Sequence, residues 1–204
     1  SNGEAFSFDL VYDKEDPANT ILWPPSNYSF NNDIFIYAIG SDDSNEIVAS
    51  YSINSDKNFV DVEVEPIANI KKYNVPMLEP LKRDKSENLE AYLKNNNIAT
   101  TQKDKLFKIE IPLTKMKEGN NTIFVKVKDF SGKENVKKIV VNYDKKSPEV
   151  KVWTPKDKES VNGLITIRGE AKDNNFLTNV VVMFNGEERI ANGRDLWEAL
   201  YNFN

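Results

Sequence analysis

The chain matches itself. Tyr12-Asp13-Lys14-Glu15-Asp16-Pro17 recurs as Tyr143-Asp144-Lys145-Lys146-Ser147-Pro148, so that Tyr12 maps onto Tyr143 at a shift of 131. Each copy is followed by Trp-x-Pro, as Trp23-Pro24-Pro25 and Trp153-Thr154-Pro155, at a shift of 130. The first register resumes between Asn31–Ile36 and Asn162–Ile167, passes through Asp42 and Asp173, and runs to Ser52-Ile53-Asn54 against Met183-Phe184-Asn185. Self-similarity at a fixed period means that one structural unit has been laid down twice. Two related domains are therefore expected, 1–146 and 147–204.

Past Asn54 and Asn185 the copies diverge in length. The next matching strand is Leu106-Phe107-Lys108-Ile109 in the first and Leu196-Trp197-Glu198-Ala199 in the second, a shift of only 90, so the first copy carries 41 extra residues between about 56 and 105. Inside that insertion Leu89, Tyr92 and Leu93 fall at i, i+3 and i+4, with Ser86 upstream and Asn95-Asn96-Asn97 downstream. This spacing predicts one short helix with Ser86 as its N-cap and the Asn run as its stop. The proline-bearing stretch from Pro66 to Pro80 precedes it, and the segment offers the apolar set Ile67, Ile70, Val75, Met77, Leu78 and Leu81. It reads equally as a recognition element or as a lid on the domain that carries it.

Elsewhere the apolar residues alternate in short runs between Gly, Asn, Asp and Pro. Examples are Phe6-Phe8-Leu10-Tyr12, Ile34-Ile36, Ile47 to Ile53, Phe59 to Val64, Phe107-Ile109-Ile111, Ile123-Val125-Val127, Ile139-Val141-Tyr143, Ile165-Ile167, Val180 to Val182 and Leu196 to Phe203. Period two at such spacing predicts an all-β chain of sandwiches.

Composition limits the chemistry. The 204 residues include no cysteine and no histidine, which removes disulfides, thiolate zinc, cysteine nucleophiles and every His-dependent triad. A net charge of -5 is the wrong sign for a phosphate backbone, so no nucleic-acid partner is expected. No apolar run approaches a membrane span, and Ser1-Asn2-Gly3-Glu4 is not a signal peptide, so an export signal or anchor would lie outside this stretch.

The run Glu118-Gly119-Asn120-Asn121-Thr122-Ile123-Phe124-Val125-Lys126-Val127-Lys128-Asp129-Phe130-Ser131-Gly132-Lys133 resembles the final hairpin of tandem bacterial Ig-like (Big-type) domains. Trp-x-Pro, then Asn-Asp or Asn-Gly, a strand and an acidic loop such as Ala171-Lys172-Asp173-Asn174-Asn175 resemble the opening of the same repeat. The likeness covers most of 12–55 and 106–204, departs at Lys133, where the family usually has Asn, and has no match in the insertion. It implies tandem immunoglobulin-like β-sandwiches, the first with a helix-containing insertion. It also implies an extracellular or cell-surface location, neighbouring Ig-like domains in a longer chain, and a protein or carbohydrate ligand of unknown identity. The implied role is non-catalytic: adhesion, display or spacing in a surface or secreted protein. The alternative is service as accessory domains of a large extracellular enzyme, such as a cell-envelope protease or polysaccharide hydrolase. Aligned on the family, Phe6–Tyr12 corresponds to a closing strand and the second copy lacks its last strands. The chain then reads as cut from an array, or as exchanging that strand with a neighbouring molecule.

Mechanical readings stand beside the family one. Asp129-Phe130-Ser131-Gly132 is a turn, Asp capping it and Gly taking the positive φ. Trp23 and Trp153 are expected at the start of a first strand, covering one end of a core. No cofactor is expected except calcium, the one inorganic partner the acidic clusters admit. The metal candidates are Asp13, Asp16, Asp42 and Asp43 with Glu15, and Asp144 and Asp173 with Asn174 and Asn175; Lys14, Lys145, Lys146 and Lys172 among them favour plain turn-forming and solubilising roles. No residue is assigned a catalytic role, and nothing points to a glycosidase carboxylate pair. Tyr28, Tyr51, Tyr73, Tyr92 and Tyr201 could stack on sugars, but ordinary strand packing is the preferred reading. Asn27-Tyr28-Ser29 and Asn120-Asn121-Thr122 match the glycosylation triplet by chance in an Asn-rich chain.

Overall fold

The computed structural model describes residues 13–44, 46–78, 85–174 and 177–203. The expected strand Phe6–Tyr12, together with Pro80, Leu81 and Asn175, lies outside them.

The first copy opens with β1 (Ala18–Trp23), β2 (Tyr28–Phe30), β3 (Ile34–Ser41), β4 (Ile47–Ile53), β5 (Val60–Val62) and β6 (Val64–Pro66). The added segment follows, with β7 (Asn74–Pro76), β8 (Ser86–Asn88) and α1 (Leu89–Asn95), and the copy closes with β9 (Lys105–Ile111), β10 (Gly119–Asp129) and β11 (Glu134–Tyr143). Two sheets result, in the orders β1-β3-β9-β6 and β2-β11-β10-β4-β5. All their pairings are antiparallel except β2 with β11. The first order matches the ABED sheet of the immunoglobulin sandwich, and the second contains its CFG order as β4-β10-β11, flanked by β5 and β2. The alternation read from the sequence is the cause. In β10 the side chains of Asn121, Ile123, Val125, Val127 and Asp129 turn inward and the residues between them outward. Ile123, Val125 and Val127 meet Ile36, Ala38, Phe107, Ile109 and Ile111 of the facing sheet in one continuous core.

Asn121 is a polar member of that interior and is fully buried. Its Nδ2 donates to Lys117 O at 2.8 Å and Gly119 O at 2.9 Å, while its Oδ1 accepts from Asn54 Nδ2 at 2.9 Å and Lys117 N at 3.1 Å. Every polar atom of the amide is satisfied, so it costs the core little and fixes the loop that starts the hairpin. Asn54, at φ 56°, has its repeat counterpart in Asn185, at φ 49°.

The second copy repeats the plan with β12 (Glu149–Thr154), β13 (Gly163–Lys172), β14 (Val181–Phe184), β15 (Glu187–Ile190), β16 (Asn192–Gly193) and β17 (Leu196–Phe203). Its sheet order, β12-β13-β17-β16, reproduces β1-β3-β9-β6, and the β14-β15 pair reproduces β4-β5. Even the irregularities recur: β1 slips register between Ile21 and Trp23, and β12 slips between Val152 and Thr154, the equivalent positions under the shift that carries Tyr12 onto Tyr143. The structural partner of Trp23 is therefore Thr154 rather than Trp153. Both tryptophans lie at or near the end of their strands, not the start. Trp23 is 2% exposed and meets Tyr28 edge-on at 5.1 Å, whereas Trp153 is 50% exposed and covers no core. Ala171, Val180, Ala191, Trp197, Ala199 and Tyr201 form the core of this copy.

The chain divides into two compact units, one of residues up to Ile70 with Leu93–Tyr143, the other of Lys71–Tyr92 with Asp144 onward. The early part of the expected insertion proves to be sandwich: β5 and β6 pair with β4 and β9 as β15 and β16 pair with β14 and β17. The extra chain is thus 67–104, entering at Pro66 and leaving at Lys105, which sit opposite each other in the sheet. Its helix begins later than expected. Ser86 lies in β8, and Asn88 caps α1 through Oδ1, which accepts from Glu90 N at 3.0 Å. The Asn run does end the helix: Asn97 takes φ 56°, with Asn97 N donating to Lys94 O and Ile98 N to Leu93 O in a Schellman closure.

Candidate functional site

The turns that follow β3 and β10 come together with the chain that leads into β1, and there Asp13, Asp42 and Asp129 converge, with one carboxylate oxygen from each within 4.8 Å of the others. Asp42 is 7% exposed and Asp129 4%. Each is held by its own turn. Asp42 Oδ2 accepts from Ser44 N at 2.9 Å and from Ser44 Oγ. Asp129 Oδ1 accepts from Ser131 Oγ and from Lys133 N, both at 2.9 Å, and Gly132 takes φ 97° as the turn requires. The other oxygen of each, Asp42 Oδ1 and Asp129 Oδ2, is buried with no protein donor among the described residues.

Asp13 receives Glu15 N on Oδ1 at 3.1 Å and ion-pairs through the same oxygen with Lys133 Nζ at 2.9 Å. Lys133 also donates to Asp13 O at 2.9 Å and Glu15 O at 2.8 Å. The Lys133 bond holds the Asp13 carboxyl below its ordinary range. Burial raises the Asp42 carboxyl, but the two bonds from Ser44 outweigh it and the net shift is downward. Burial likewise lowers Lys133, and the bond to Asp13 with the charges of Asp13, Asp129 and Asp16 reverses the sign.

Of the acidic candidates, the structure brings Asp13 and Asp42 together and adds Asp129. Asp16 and Asp43 are exposed and stand outside the trio, although Asp16 acts on Lys133 through its charge. Asp144 and Asp173 hold the positions in the second copy that Asp13 and Asp42 hold in the first, and Asp144 Oδ1 accepts from Lys146 N at 3.1 Å as Asp13 Oδ1 does from Glu15 N. Among the described residues neither joins a group of three acidic side chains. Asp129 was legible only as a turn former. No linear spacing announces that a residue so far along the chain from Asp13 will share its site.

The tyrosines named as sugar-stacking candidates differ in burial. Tyr92 and Tyr201 are buried, Tyr201 donating its hydroxyl to Val182 O at 2.9 Å, while Tyr28, Tyr51 and Tyr73 are half-buried. One open groove of about 520 Å³ runs along the first copy beside Ile47, Val64, Lys105 and Phe130. Among the described residues no helix is long and apolar enough to cross a membrane.

No sequence-family profile matches the chain, and no curated protein matches it in sequence. Solved structures do match in shape. The fibronectin(III)-like modules of Clostridium thermocellum CbhA align with 91% of this chain and 78% of their own at 14% identity and a TM-score of 0.50. The C-terminal domain of the Streptococcus agalactiae AgI/II polypeptide BspA covers 76% of this chain and 60% of its own at 13% identity and a TM-score of 0.34. The endo-beta-1,4-mannanase of Thermotoga petrophila covers 66% and 21% at 14% identity and 0.39. The strand orders and the first of these likenesses together make the chain an all-β protein of the fibronectin III-like and Ig-like module fold.

Proposed function

We propose that the chain serves as a non-catalytic pair of Ig-like modules, of the tandem bacterial kind, in a surface or secreted protein, and that it acts by adhesion, display or spacing. The observation that carries this reading is one sandwich plan laid down twice, with 67–104 added to a single copy at a point where entry and exit are already opposite each other in a sheet. A scaffold of this kind places recognition on what is added to it, because the sandwich itself must stay constant to fold. The partner would be a protein surface or a carbohydrate. Service beside the catalytic domain of a larger extracellular enzyme makes the same demands on this chain, and the full-length reading frame separates the two.

The test replaces Ile67–Asp104 by Asn-Gly, which joins Pro66 to Lys105 as a two-residue hairpin. The replaced chain is expected to keep a cooperative unfolding transition and to lose binding to immobilised polysaccharide and protein panels that retain the intact chain. Undiminished binding would remove the display role from the segment. Turnover of glycoside, ester or peptide substrates by the intact chain would contradict a non-catalytic module.

A further inference from the structure

Lys133 is the obvious counter-charge for the three carboxylates, and its geometry says it is fully engaged. An ammonium has three protons to donate. Here they meet three acceptors, Asp13 Oδ1, Asp13 O and Glu15 O, all within 2.9 Å. None remains for Asp42 Oδ1 or Asp129 Oδ2, the two buried oxygens without a protein donor. Three carboxylates against one ammonium leave two negative charges in a place where water reaches poorly. An unpaired buried charge is costly enough that such groups bind a counter-ion or become protonated. Ser44 already occupies the other oxygen of Asp42, and Ser131 with Lys133 N the other oxygen of Asp129, so the two open oxygens are the ones left for a cation.

From the two unpaired buried oxygens and the convergence of the three carboxylates we infer that Asp13, Asp42 and Asp129 form a calcium site. Calcium binds oxygens at about 2.3–2.6 Å, so ligands on one ion stand up to about 5 Å apart, and the three carboxylates lie within 4.8 Å. The ligand set is hard, anionic and irregular, which suits calcium over magnesium with its stricter octahedron. The ion would tie the chain entering β1 to the turns leaving β3 and β10, three segments distant in sequence. The recurrence of Asp13 and Asp42 as Asp144 and Asp173 shows that the duplicated plan keeps two of these carboxylates in both copies.

The experiment titrates calcium into the intact chain by calorimetry and follows thermal unfolding in about 10 mM calcium and in EDTA. Binding is expected near the roughly 10⁻⁴–10⁻³ M range of extracellular modules, with a midpoint rise of roughly 4–8 °C. Asp42→Asn and Asp129→Asn should each weaken binding at least tenfold, while Asp173→Asn leaves it unchanged. Asp42→Asn should also lose the midpoint rise that calcium gives the natural chain over EDTA. If either buried variant does not fold, Asp13→Asn carries the comparison from the more exposed side. Coincident melting in calcium and EDTA with no heat of binding overturns the inference, and so does a calcium response that survives both Asp42→Asn and Asp129→Asn. Magnesium binding as tightly as calcium overturns the assignment of the ion.

Discussion

Truncating Phe107 to alanine is expected to destabilise the first sandwich by about 3–5 kcal/mol, the range for removing a large aromatic side chain from a core that cannot collapse around the gap. Phe107 is fully buried in β9, paired with Ala38 of β3 on one side and Val64 of β6 on the other. Its ring is bounded by strands of both sheets, so little of the lost volume can be refilled by a rotamer change. Equilibrium urea unfolding checks the value through the midpoint at constant slope. A loss under about 1 kcal/mol would mean that the ring is not enclosed as described.

The second large effect belongs to the other copy, and the duplication explains it. Gly169 and Trp197 occupy the positions that Ala38 and Phe107 hold in the first, each pair directly opposed across its strands. The larger ring is thus matched by the smaller partner, which keeps the local volume nearly constant. A methyl added at Gly169 would overlap the Lys151 carbonyl oxygen and stand 2.5 Å from Trp197 Cζ2. Both neighbours are held, one by the backbone and one by burial, so Gly169→Ala is expected to cost about 3 kcal/mol or more. Adding Trp197→Phe, which restores the combination used by the first copy, should recover part of that loss. A double-mutant cycle measures the recovery, and strictly additive losses would show that the two positions do not compensate each other.

How far the sequence reads depends on which interactions are local. Period-two alternation placed β4 at Ile47–Ile53 and β17 at Leu196–Phe203 closely, because one face of each strand is buried and a one-residue slip would expose it. The end of α1 was legible because the Asn97 turn is a backbone event of a few residues. Its start was not, since pairing with β7 draws Ser86 into β8 and passes the cap to Asn88. The extent of the added segment was misplaced because sequence similarity fades along short edge strands such as β5 and β6, where few side chains are constrained by a core. Aligning Trp23 with Trp153 followed residue identity where the strand bulge fixes the opposite answer. The acidic trio was half visible, through Asp13 and Asp42. Its third member depends on a register between strands that only the folded sheets define.

One sandwich plan is built twice, so that the pairing of β3 with β9 is repeated in the pairing of β13 with β17. Cross-strand backbone nuclear Overhauser contacts in the full chain test it most directly. Ile36 is expected to oppose Ile109 in the first copy and Ile167 to oppose Ala199 in the second, with the neighbouring residues following in antiparallel register. Contacts that place β13 against a different strand, or that shift the β13–β17 register by a single residue, would contradict it.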